Sequence, residues 1–156
     1  MPDVTFGLLL AATACTGILA GASLDQSIKQ LPARHAIGVA AYSRYSQAAD
    51  LGNGIAFYAT LGIAVLAFNA AAAVAGFISG LEFGQSVPIY AGAALAITHS
   101  AVTVRAAPTN FSQRAATDEH ALTVIFRRFE RLQALRCVLQ VMNFGANLWA
   151  SLWGTI

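Results

Sequence analysis

Charge is what this chain has least of. Of its 156 residues, 10% are Asp, Glu, Lys or Arg while 57% are hydrophobic, and the mean hydropathy is +0.62. A soluble domain carries roughly 25% charged residues. The deficit argues against a soluble globular protein and equally against a disordered one. Cysteine is scarce too. Cys15 and Cys137 stand among apolar neighbours and make neither a disulfide framework nor a metal cluster. The net charge of +2 is too small to mark a nucleic-acid partner. A Gly-rich phosphate loop, a nucleophile elbow and a haem or iron–sulfur ligation motif are all missing. Asp118, Glu119 and His120 are consecutive, so on a helix they diverge; they fit a helix start better than a chelate. No metal and no other cofactor is expected.

What the chain has instead is four long apolar runs. A bilayer core is about 30 Å thick and needs about 20 apolar residues to cross it as a helix. The runs predict spans at about 5–28, 52–79, 86–106 and 133–153. They leave no room for a separate soluble domain, so residues 1–156 form one four-span unit. Ala20-Gly21-Ala22 before Ser23 resembles a signal-peptidase site, but the only early charge is Asp3 rather than a positive n-region. The first run is therefore read as a true span. The expected fold is an all-α integral membrane four-helix bundle, up-down-up-down. Residues 33–49 are mildly amphipathic and are expected to lie along the inner membrane surface before the second span.

All nine Lys and Arg residues fall in the first and third connections or beside them; the Gly80–Gln85 turn holds only Glu82. The positive-inside rule then puts both basic loops in the cytoplasm and both termini outside, in the inner membrane if the source is bacterial. Trp149 and Trp153 fall where an outer aromatic belt is expected. Pro108 and the polar run to Thr117 read as a loop. Thr117 or Asp118 then caps a helix whose apolar stripe is Leu122, Ile125, Phe126, Phe129 and Leu132. No Gly or Pro separates that stripe from the last span. One helix of roughly 54 Å is expected from 118 to 153, at 1.5 Å per residue.

Polar residues inside the spans are the informative ones, because they tend to face a bundle interior or a cavity. Arg136, Gln140, Asn143, Asn147 and Ser151 are spaced by four, three, four and four, within roughly an 80° arc, and Gln133 extends the face. Two readings stay open: interhelical hydrogen bonding that holds the bundle together, or a ligand pocket. His99 lies mid-span, as a structural hydrogen bonder or a general base. Asn69, His99 and Asn143 come to similar depths. Asp25, Arg105 and Arg136 are expected to gather at the inner interface as an ion-paired cluster that could bind an acidic or phenolic ligand. Gly17-x-x-x-Gly21 and Gly76-x-x-x-Gly80 are close-packing motifs, within the chain or between copies.

Ala107-Pro108-Thr109-Asn110 at the end of the third span, followed after the loop by Phe129-x-x-Leu132-Gln133-x-x-Arg136, resembles the four-span anthrone oxygenase-like family. That family's pattern has Asn where Gln133 stands and a larger aromatic at Phe129. Chain size, span count and the amphipathic segment agree. The resemblance implies oxidation of an anthrone-type polycyclic phenol to its quinone by O₂, without metal or flavin. It implies His99 as base, Arg136 as the cation holding the phenolate, and Gln140 with Asn143 as donors to the carbonyl. Asn69, Asp25 and Arg105 complete the candidate ligand-binding set, and Pro108, Asn110, Phe129 and Gln133 carry the family motif. The partners implied are the bilayer, an aromatic or quinone-like ligand and a homo-oligomer or larger complex. Two other classes remain open. One is a non-catalytic accessory or assembly subunit of a membrane complex. The other is a glutathione- or lipid-metabolising membrane enzyme, whose usual Asn-x-x-Glu after an Arg-rich stretch is missing here.

Cysteine labelling tests the orientation. In a background lacking Cys15 and Cys137, Ser112→Cys should be protected from an impermeant maleimide in intact cells and Gln85→Cys should react. The reverse pattern would refute the inferred topology.

Overall fold

The chain runs into the first helix through Pro2, extended at φ −61°, ψ 145°, and Asp3 sits in the first turn, near the positive end of the helix dipole. A computed structural model describes residues 1–153. Every regular element among them is helical: α1 Asp3–Asp25, α2 Leu31–Ile37, α3 Val39–Ala48, α4 Gly54–Ile78, α5 Phe83–Phe111 and α6 Glu119–Trp153. Three helical stretches, Asp3–Ile37, Val39–Ile78 and Phe83–Ala115, are long and apolar enough to cross a membrane. The last helix does not reach that apolar content, because Gln140, Asn143, Asn147 and Ser151 dilute its uncharged end. The single domain expected over 1–156 includes residues 154–156, which lie outside the described residues.

Local chemistry sets the helix ends. The α4–α5 turn is a Schellman motif. Gly80 takes φ 61°, its N–H reaches the Phe77 carbonyl at 3.1 Å, and the Leu81 N–H reaches the Gly76 carbonyl at 3.4 Å. Leu81 then packs beside Leu9, Ala72, Ile89 and Ala150. Asp118 caps α6: its Oδ1 accepts the Ala121 N–H at 2.7 Å. The third connection departs from expectation. Pro108 does not begin a loop but lies inside α5, which continues to Phe111 and a short 3₁₀ turn at Ser112–Ala115. A proline so close to a helix end removes one backbone bond and leaves the turn otherwise intact.

The segment before α4 also differs. It is helical, as its pattern suggested, but broken at Gly38, whose φ of 86° suits a residue without Cβ. The two short helices do not form one free surface helix. Leu31 and Tyr42 are buried against Ala106 of α5 and against Leu122, Phe126 and Phe129 of α6. The Tyr42 and Phe126 rings meet edge to face at 5.0 Å between centroids. Arg34 Nη2 also donates to Glu130 Oε2 at 2.6 Å. The cause is the overlong final helix. Its apolar stripe of Leu122, Phe126 and Phe129 needs a cover, which α2 and α3 supply.

Among the long helices, α1 packs on α4 and α6, and α5 packs on α4 and α6. Large apolar side chains mostly point outward: Ile63, Phe77 and Phe83 are 70%, 77% and 84% exposed. The interior holds small residues and amides beside the buried aliphatic side chains of Leu9, Leu19, Val65 and Ile89. Gly92 of α5 shows why. A Cβ there would lie 2.9 Å from both Asn69 Oδ1 and Asn147 Oδ1. Those amides are held by their nitrogens: Asn69 Nδ2 donates to Val65 O at 2.8 Å, and Asn147 Nδ2 to Asn143 Oδ1 at 3.0 Å.

Gly92→Ala is therefore expected to destabilise the fold by about 1–3 kcal/mol, the usual cost of overpacking. Gly62, with nothing within 4 Å of its would-be Cβ, is the control. Gly62→Ala should be neutral or slightly stabilising. Thermal unfolding in detergent compares the two, and equal midpoints would remove the close-approach argument.

Candidate functional site

The polar face of α6 is buried, and it divides in two. Towards the C-terminal end it hydrogen-bonds to the helix itself and to α1. Asn147 Nδ2 reaches Thr16 Oγ1 at 3.3 Å, Ser151 Oγ donates to the Asn147 carbonyl at 2.9 Å, and Thr13 Oγ1 lies 3.2 Å from Ser151 Oγ. Asn69 and Asn143 belong to this closed half, around Gly92. It corresponds to the reading in which the amides hold helices together.

From Gln140 back towards the connections, the same face opens onto a cavity of about 200 Å³. α6 contributes Phe129, Gln133, Arg136 and Gln140. α1 and the turn after it contribute Leu19, Ser23 and Gln26. Asp50 and Leu51 come from the turn before α4, and Ile55 and Tyr58 from α4 itself. Thr103, Ala107, Asn110 and Phe111 close it from α5. Along α6 the lining runs from 129 to 140, about 16 Å at 1.5 Å per residue.

Arg136 is the charged centre of this space. Its Nε donates to Thr103 Oγ1 at 3.1 Å and its Nη1 to Gln133 Oε1 at 2.8 Å. Gln133 is buried, and its Nε2 donates to Ser23 Oγ at 2.8 Å, tying Arg136 to α1. Among the described residues the ion pairs are Lys29–Asp25 and Arg34–Glu130, so Arg136 faces the cavity with neutral partners alone. A guanidinium so placed holds its planar fork ready for an oxyanion or carbonyl.

Two expectations are corrected here. Asp25, Arg105 and Arg136 do not gather. Asp25 pairs with Lys29 and accepts from Gln30 Nε2 at 2.6 Å, one helical turn away, and Arg105 points outward from α5, exposed. The long side chain of Lys29 reaches Asp25 locally, which an unfolded reading of depth does not foresee. His99 does not line the cavity either. It is buried behind Gln140, whose Nε2 lies 2.7 Å from His99 Nε2, while Gln140 Oε1 has no hydrogen-bond partner. Of the residues carrying the family resemblance, Asn110, Phe129, Gln133 and Arg136 line the cavity, and Pro108 is exposed.

Sequence reasoning missed Asp50, Gln26 and the network beneath them. Asp50 is 8% exposed, and its Oδ2 accepts from Ser46 Oγ at 2.9 Å. Ser46 Oγ accepts from Gln113 Nε2 at 3.2 Å, and the same nitrogen donates to Asn110 Oδ1 at 2.7 Å. One signal was present: Asp50 is the last charge before an uncharged run to Ser79.

No family model, curated protein or solved structure matches this chain.

Gln133→Leu should leave Ser23 and one arm of Arg136 without their partner. An abandoned buried polar group costs about 1–3 kcal/mol, so unfolding in detergent should fall by that order. Asp25→Asn, at an exposed pair, should shift it little. Equal shifts would mean that Gln133 is not the link between α1 and Arg136.

Proposed function

We propose that this is an integral membrane protein with four spans in up-down-up-down order and basic loops in the cytoplasm, whose cavity binds an aromatic, phenolic ligand. The observation that carries the reading is Arg136: a guanidinium with no carboxylate partner, in a cavity walled by Phe129, Tyr58, Leu19 and Ile55. Cations inside spans are costly and tend to mark functional sites. The apolar wall takes a ring system, and the fork takes its oxygen. An engineered cavity of about 150 Å³ holds benzene, so about 200 Å³ suits fused rings, with a third ring extending towards the mouth.

The reaction proposed follows the resemblance to anthrone oxygenases, and the lining by Asn110, Phe129, Gln133 and Arg136 supports it. Arg136 stabilises the phenolate of the bound anthrone, and the proton leaves to solvent. The electron-rich ring carbon opposite the carbonyl forms a C–O bond with O₂. The peroxide anion takes a proton back from solvent and loses water with the remaining C–H hydrogen, leaving the quinone, so anthrone and O₂ give anthraquinone and H₂O. The protein's part is binding, charge stabilisation and exclusion of water. His99 acts on this through Gln140, as a positioning residue rather than as the base in contact with substrate. In the accessory-subunit alternative the helix faces would do nothing but pack, and the cavity would need no ligand.

The assay is anthrone-dependent O₂ uptake by membranes containing the protein. Arg136→Lys keeps the charge but loses the fork, and should reduce uptake about tenfold or more, the effect of one strong hydrogen bond. His99→Gln should lower the rate less and leave ligand binding in place. Uptake equal to that of empty membranes would reject the oxygenase and leave the accessory subunit.

A further inference from the structure

Two charged side chains face the cavity, and they are not paired with each other. Arg136 stands on α6, in the stretch that also carries Gln140, and Asp50 stands in the turn before α4, next to Asn110 and Gln113. Opposite charges sharing a space of low dielectric attract strongly. Here each is held by its own neutral partners. Thr103 Oγ1 and Gln133 Oε1 fix Arg136. Ser46 Oγ donates to Asp50 Oδ2, and Ser46 is fixed in turn by Gln113 Nε2, whose Oε1 accepts from Ser43 Oγ at 3.0 Å. The carboxylate is thus pinned from below by a hydrogen-bonded network spanning α3, the Ser112–Ala115 turn and α5. Two groups of opposite sign, a part-buried guanidinium and a buried carboxylate, each fixed by neutral partners and both lining one cavity, form a preorganised pair of anchors.

The two anchors ask for different chemistry. Arg136 has only donors, so it takes an oxyanion or a carbonyl oxygen. A carboxylate has only acceptors, so Asp50 takes an O–H or N–H. The rings of Phe129, Tyr58 and Phe111 line the same cavity. A simple phenol held at Arg136 would reach one anchor and leave the second without a contact to the ligand.

We infer that Asp50 is the specificity-determining residue of the cavity, selecting aromatic ligands that carry a second hydroxyl or amine donor at the end remote from the group held by Arg136. This rests on the cavity being an aromatic binding site and is independent of whether O₂ chemistry follows. It also gives the ligand a direction: the oxygen bound by Arg136 lies deeper, beside Gln140, and the donor end lies by the connections, at Asp50 and Asn110. A residue that sequence reasoning passed over then accounts for the polar network under the cavity, which otherwise holds a buried carboxylate in place for no ligand.

The test uses the whole protein in lipid nanodiscs, with three fluorescent probes of nearly the same shape. 2,6-Dihydroxynaphthalene offers two hydroxyls, 2-naphthol offers one, and 6-methoxy-2-naphthol keeps the second oxygen but removes its proton. Saturable binding is read from naphthol fluorescence after subtraction of empty nanodiscs. The diol should bind wild type about tenfold tighter than either monohydroxy probe, as one hydrogen bond to a charged group allows. Asp50→Leu should bring that ratio close to one, and Asp50→Asn should leave an intermediate ratio. Arg136→Gln should weaken all three probes. If the diol and 2-naphthol bind wild type within twofold of each other, the anchor role of Asp50 is overturned while the aromatic site stands. If the ratio survives in Asp50→Leu, the selection lies elsewhere and the inference fails. Absence of saturable binding by any probe overturns both the inference and the aromatic site. Should Asp50→Leu not fold, the comparison of the three probes on wild type decides alone.

Discussion

The structure depends on one buried polar face, the row from Gln133 to Ser151 on α6. In lipid the hydrophobic effect does not drive helix against helix, so association rests on close packing and on hydrogen bonds between spans. This chain follows that logic. Its large apolar side chains point outward, and Gln133, Asn143 and Asn147 are almost fully buried. Ser23 and Thr16 of α1 and Thr103 and His99 of α5 meet that face through side-chain hydrogen bonds. Gly92 lets α5 come close enough for two amide oxygens to lie against its backbone. The small residues of α1, α4 and α5 therefore serve approach, and the amides of α6 serve register.

The cavity exists because that packing is incomplete at one end. Around Asn143 and Asn147 the amide row closes on itself, Asn147 Nδ2 donating to Asn143 Oδ1. Where it continues as Gln140, Arg136 and Gln133, the facing residues are Tyr58, Thr103 and Leu19, and a gap remains. The N-terminal half of α6 reaches this gap through Phe129. Its stripe of Leu122, Phe126 and Phe129 captures α2 and α3, and these carry the turn with Asp50 to the mouth of the cavity. Covering an overlong helix and building the cavity are thus the same structural event. The cover also explains why the basic segment between α1 and α4 is two short helices broken at Gly38 rather than one helix on the surface.

Much of this was legible without coordinates. The four long helices follow from apolar runs and the lack of charge, and three of them are long and apolar enough to cross a membrane. The cap at Asp118, the single helix through to Trp153 and the inward polar face follow from spacing at 3.6 residues per turn, which is a local property. Arg136 and Gln133 could be singled out as site residues for the same reason: polarity inside a span is conspicuous against its own neighbours.

What remained was decided only by the tertiary structure, because it depends on distances between segments far apart in the chain. Depth counted along separate spans put Asp25 and Arg105 beside Arg136, but rotation about the helix axis turns Arg105 outward, while Asp25 is taken by its own i,i+4 neighbour Lys29. The same rotation sets His99 behind Gln140 instead of in the cavity. Pro108 reads as a loop signal, yet a proline costs a helix little so near its end. Asp50 carries only one faint signal in sequence, being a single carboxylate at the edge of an apolar run. Its burial beside Ser46, over Gln113 from a turn more than sixty residues away, is a fact of three-dimensional packing. By itself, then, the sequence determined the helices and the polarity of their faces, because periodicity and hydropathy are local. Which polar residues share one cavity was settled by helix rotation and by the capture of α2 and α3, and no local pattern encodes either.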